Sequence, residues 1–132
     1  MNSKKKKELY FLPAYVYGVV VFIASSIPTK EIVETREQNN FFGIFLSDAS
    51  FHFFGFGVLT GLLCFAFYKT QKSSLPYVRI GLFALGFGLF IEIYQMILPY
   101  RSFKLDDLFW DFVGIVFILL LFLIILAVKK KA

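Results

Sequence analysis

Four continuously apolar stretches run along the chain, over Leu9–Ile27, Phe51–Tyr68, Tyr77–Leu98 and Leu108–Val128, with polar residues crowded into the gaps between them. At 1.5 Å of rise per residue, a helix needs about 17 to 25 residues to cross a hydrocarbon layer roughly 30 Å thick, and each stretch supplies that length. Barrel strands alternate apolar and polar positions, and these stretches do not. The pattern predicts an all-α integral membrane protein, a four-transmembrane-helix bundle with helices at about 9–27, 48–68, 77–98 and 107–128. One membrane domain accounts for the whole of 1–132.

Composition strengthens that reading. Of the 132 residues, 58% are hydrophobic and 17% charged, with a mean hydropathy of +0.72. So few charges cannot cover a soluble domain of this size, which must present much of its chain to water. The formal charge of +5 does not point to nucleic acid, because the aromatics lie inside the apolar runs instead of interleaving with basic residues on one face. The basic residues instead report orientation. Ten lie on one side (Lys4–Lys7, Lys69, Lys72, Arg79 and Lys129–Lys131), against Lys30, Arg36, Arg101 and Lys104 on the other. The positive-inside rule then puts both termini in the cytoplasm and the loops near Thr29–Ser47 and Tyr100–Asp106 outside. A competing reading takes the lysine cluster, the first apolar run and Ala24-Ser25-Ser26 as a cleavable signal peptide, although Pro28 directly follows the cut.

Small residues recur four apart at Ala14/Gly18, Gly57/Gly61 and Ala84/Gly88, a spacing that lets helix backbones approach within lipid. Cys64 is the sole cysteine, sits mid-stretch among Leu63, Phe65 and Phe67, and reads as a packed small hydrophobe. In the outer loop, Phe41–Phe45 reads as a short re-entrant or amphipathic piece at the interface.

Ionisable groups at membrane depth are expensive and face a bundle's interior. Asp48 and His52 stand at i and i+4 where the second helix opens, so both lie on one face. Glu92 and Gln95 stand at i and i+3 near the end of the third helix. Asp107 and Asp111 open the fourth, after Arg101 and Lys104 in the preceding turn. By helical rise, Glu92 lies about 9 Å inside its helix end, and His52 and Asp111 about 6 Å inside theirs. The shared depth predicts one outward-facing polar site. Asp106, Asp107 and Asp48 also suit ordinary helix N-terminal positions, and Arg101 suits a headgroup anchor. Glu92 follows Gly86–Ile91, which carry no polar side chain, so it needs a partner or a proton, with His52 or Arg101 the expected partner.

At these residues the sequence resembles the VanZ-like family of bacterial membrane proteins. The resemblance covers roughly Ser25 to Gly114. It is carried by Ser25-Ser26-Ile27-Pro28, by Asp48-Ala49-Ser50-Phe51-His52-Phe53, and by Glu92-Ile93-Tyr94-Gln95 followed by Pro99-Tyr100-Arg101, Asp107, Asp111 and Gly114. Ala49 stands where the family commonly has Lys, and Asp111 where Asn is usual. Both departures make the site more acidic and favour a cation, a proton or a shared-proton carboxyl pair over an anion alone. The resemblance implies the bacterial cytoplasmic membrane, the cell envelope and tolerance of glycopeptide antibiotics, teicoplanin especially.

Three functions compete at the sequence level. In the first, Arg101 grips a phosphate or carboxylate of a lipid-linked cell-wall molecule, His52 and Glu92 form an acid–base pair, and Asp48, Gln95, Asp107 and Asp111 complete the ligand site. His52, Glu92 and Asp111 can alternatively hold a divalent metal, although one histidine with oxygen partners does not identify it. In the second, a non-catalytic interaction protein displaces glycopeptide antibiotic or organises wall enzymes, and the polar cluster locks helix packing. The third, a small transporter, lacks polar residues in the inner halves of the helices, so no path crosses. Whether a reaction is catalysed stays open at this level.

Overall fold

The computed structural model describes residues 7–28, 47–70 and 76–131. Four α-helices follow in order: α1 Leu12–Ser25, α2 Asp48–Thr70, α3 Pro76–Gln95 and α4 Leu105–Lys131. With the turn that precedes α1, all four are long and apolar enough to cross a membrane. The expected interfacial piece at Phe41–Phe45 lies outside the described residues.

Local chemistry sets the helix ends. Pro13 in the first turn of α1 starts that helix where its missing N–H is harmless. Ser47 caps α2, its hydroxyl accepting the backbone N–H of Ser50 at 3.1 Å. Asp48 is therefore the first helical residue and not the cap. α3 stops at Gln95, three residues short of the expected Leu98, because the chain tightens into i→i−3 bonds from Met96, Ile97 and Leu98 ahead of Pro99. α4 begins at Leu105, so Asp106 and Asp107 complement the dipole in its first turn while Lys129–Lys131 do so in its last.

Small residues set the packing, since lipid supplies no hydrophobic drive between helices. α2 and α4 form the most intimate pair. A Cβ on Gly114 would collide with the Phe53 carbonyl, and one on Gly57 would stand 3.6 Å from the Gly114 carbonyl oxygen. Gly61 faces Ile118 along the same seam. On α3, Ala84 is fully buried and a Cβ on Gly88 would reach within 2.5 Å of Asp111 Oδ2. Gly18 of α1 meets α2 only loosely, since a Cβ added there would stand 3.9 Å from Leu59 Cδ1. Cys64 is buried and free, as a packed hydrophobe should be. Large apolar side chains such as Val19, Leu82, Phe109 and Ile124 cover the outside.

Candidate functional site

The glycine seam decides the site. Because Phe53 lies against Gly114, the adjacent His52 faces Asp111, one turn before Gly114. His52 Nδ1 and Asp111 Oδ1 are 2.8 Å apart. The other ring nitrogen, Nε2, is 3.5 Å from Asp107 Oδ2, so the imidazole sits between two carboxylates on one face of α4. Phe56, one turn along α2, stacks parallel to the ring and shields it. Asp111 is fully buried, and its Oδ2 lies against Gly88 without a hydrogen-bond partner.

Glu92 arrives from α3 and is also fully buried. The sequence points to His52 or Arg101 as its partner, and the structure corrects this. Glu92 Oε2 accepts the backbone N–H of Lys104 at 2.9 Å, in the connector that leads into α4, while Oε1 has no partner. The early end of α3 lets the connector fold back over the carboxylate, which backbone position alone decides and side-chain spacing cannot reveal. His52, Glu92 and Asp107 still converge, with one ligand atom of each within 4.8 Å of the others. In that trio Asp107 takes the place expected of Asp111, whose Oδ1 is already engaged with the far side of the ring.

The rest of the polar set ties down the end of α1. The last carbonyls of a helix have no intrahelical partners. Gln95 Nε2 donates to the Ser25 carbonyl at 3.0 Å, the Tyr100 hydroxyl to that of Ser26 at 3.1 Å, and Arg101 Nη2 to that of Ile27 at 2.7 Å. Two of the segments that carry the resemblance, Ser25–Pro28 and Glu92–Arg101, are thus bonded to each other. The sequence points to Gln95 and Arg101 of this set, but not to a role for Tyr100 or to the acceptors. The free carbonyls at the end of α1 were the signal available.

Asp48 and Lys104 pair at 3.0 Å at the rim. Beneath them a cavity of about 40 Å³ is lined by Ser25, Asp48, His52, Gln95 and Arg101 among others. By the space one water requires, it holds about three water-sized groups. Arg101 Nε is buried there without a partner among the described residues. One turn further along α1, an apolar groove of about 330 Å³ opens between α1 and the α2–α3 face, lined by Ala14, Gly18, Phe22, Leu59, Phe87 and Phe90. Both spaces border α1, the polar cavity at Val21, Ala24 and Ser25 and the groove at Ala14, Gly18 and Phe22, and they share no lining residue.

The structure thus brings together Asp48, His52, Glu92, Gln95, Arg101, Asp107 and Asp111 at one end of the bundle. The set divides into an acid–imidazole core and an α1-binding rim. No curated protein and no solved structure matches the chain. The family model described as VanZ/LLP1 matches residues 11–126, nearly the whole chain, and this multi-pass membrane protein belongs to that family.

Proposed function

We propose that the protein binds an anionic, lipid-linked molecule of the bacterial cell envelope, with the polar site facing outward from the cytoplasmic membrane. The headgroup occupies the cavity beside Arg101 and His52, and the hydrocarbon chain lies in the groove between α1 and α3. The supporting observation is Arg101 Nε, buried without a partner among the described residues beside a polar cavity at the end of α1, with an apolar groove along the same helix. Guanidinium suits a phosphate or carboxylate because it donates through a rigid fork. Its Nη2 is engaged at Ile27, so Nε supplies the free donor. Orientation rests on the excess of lysine and arginine at the opposite end. Sequestering such a molecule gives a route to glycopeptide tolerance, teicoplanin included.

A second reading also has a specific observation behind it. Gln95, Tyr100 and Arg101 all spend donors on α1 carbonyls, as they would if the cluster only locked packing. Arg101→Ala separates the two in teicoplanin susceptibility measured at matched membrane abundance. Ligand binding predicts loss of tolerance with normal abundance, and binding of a polyprenyl phosphate to nanodisc-embedded protein weakened at least tenfold. A packing role predicts lower abundance and unchanged tolerance per molecule, which would sink the lipid-binding reading.

A further inference from the structure

We propose that His52, Glu92 and Asp107 form a binding site for one divalent transition-metal ion, with Asp111 orienting His52 from behind. The proposal is independent of the lipid reading and concerns the acid–imidazole core alone.

An ionised Asp111 can only accept, so its 2.8 Å contact places the ring hydrogen on Nδ1. In the neutral ring that leaves the Nε2 lone pair facing Asp107 Oδ2 at 3.5 Å, beyond strong hydrogen-bond distance and close enough for both atoms to share an ion. Metal-binding histidines are held this way, with the second nitrogen donated to a carboxylate that fixes ring and tautomer. Glu92 supplies the third donor. It is fully buried, its Oε1 has no hydrogen-bond partner, and the three residues offer ligand atoms mutually within 4.8 Å.

Charge argues the same way. Glu92, Asp107 and Asp111 are three buried carboxylates around one imidazole. The two nearby permanent cations lie close enough to act on Asp107 through space, but their side-chain bonds go elsewhere, Lys104 to Asp48 and Arg101 to the Ile27 carbonyl. Buried charges require pairing or a metal. One imidazole nitrogen with two carboxylates suits Mn²⁺ or Zn²⁺, whereas Mg²⁺ and Ca²⁺ prefer oxygen alone. Such an ion also places positive charge beside the cavity that Arg101 lines.

The test uses the full chain in nanodiscs, stripped with chelator and titrated with Mn²⁺ by electron paramagnetic resonance and with Zn²⁺ by calorimetry. The expected result is one ion per chain, with affinity lost in His52→Ala and Asp107→Asn. Asp111→Asn should retain the stoichiometry with affinity about 10 to 100-fold weaker, the usual effect of removing a group that orients a metal-bound histidine. Should His52→Ala not fold, His52→Cys titrated with Cd²⁺ locates the ion directly, through a thiolate-to-metal absorption band missing from wild type. Three outcomes overturn the proposal: wild type that takes up neither Mn²⁺ nor Zn²⁺ at millimolar concentration, binding unchanged in His52→Ala, or a folded His52→Cys protein without the band.

Discussion

The α2–α4 seam and the α1 edge solve the problem of helix association in lipid in opposite ways. Along the seam, Gly57 and Gly114 bring backbones into contact, and His52 meets Asp111 one helical turn away. Along α1, only Ala14 and Val21 are buried, while Val16, Val19 and Val20 are more than half exposed. That helix is held at its end by three side-chain donors to its last carbonyls. A close seam of small residues fixes side-chain geometry, whereas α1 is held by its polar tether and by ring contacts, Phe11 with Phe67 and Phe22 with Tyr94. The acid–imidazole core therefore sits on the closely packed part, and the apolar groove lies along the loosely packed one.

The largest expected effect tests the rigid half. Gly114→Ala puts a methyl group into the Phe53 carbonyl, which is helical backbone and cannot yield as a flexible side chain would. Overpacking of this kind costs about 1 to 3 kcal/mol, and the helices must part beside His52. Thermal unfolding in detergent should show a clear loss. Gly55→Ala, which meets nothing within 4 Å, should stay within about 0.5 kcal/mol of wild type. Equal stability for the two variants would mean that the seam does not decide the fold.

The tether comes next. Gln95→Leu keeps most of the side-chain volume and removes the donor to the Ser25 carbonyl. A hydrogen bond between membrane helices is worth about 0.6 kcal/mol, so the global melting temperature should move little. The local effect should be larger, because the end of α1 loses one of three anchors. Cysteines placed at Ala24 and Ile91, which border the same cavity, should cross-link more slowly in Gln95→Leu than in an otherwise identical control. An unchanged rate would show that packing, and not the tether, holds α1.

Sequence alone carries the four apolar helices seen among the described residues, their approximate spans and the set of polar residues that meet, because hydropathy and shared depth both follow from a fixed rise per residue. It does not carry the pairing within the set. Asp111 and Asp107 both lie on the α4 face that meets His52, and spacing cannot tell which oxygen faces Nδ1. Glu92 goes to the backbone of Lys104 because α3 stops early, which moves Glu92 to about 4.5 Å from its helix end while Asp111 sits about 9 Å inside its own. The two shifts run in opposite directions and the residues still meet, because the connector folds back between them. Main-chain partners of that kind are invisible to side-chain patterns. The carbonyls at the end of α1 were missed for the same reason.

The smallest effect on stability should come from Gly18→Ala, and it is the sharpest test of what α1 is for. A Cβ added at Gly18 would stand an ordinary 3.9 Å from Leu59 Cδ1, so a methyl group fits without displacing backbone. Gly inside a helix is also the poorer helix former, by up to about 1 kcal/mol in water and less in lipid. Unfolding should therefore be unchanged or slightly later, and metal titration at the acid–imidazole core should be unaffected. The same methyl group projects into the apolar groove that Gly18 lines. If a lipid chain lies there, affinity for a polyprenyl phosphate should fall severalfold with no change for Mn²⁺, and Gly18→Leu should deepen the loss. If α1 is only a fourth packing helix, neither affinity moves, and the groove is simply where bulk lipid touches the protein.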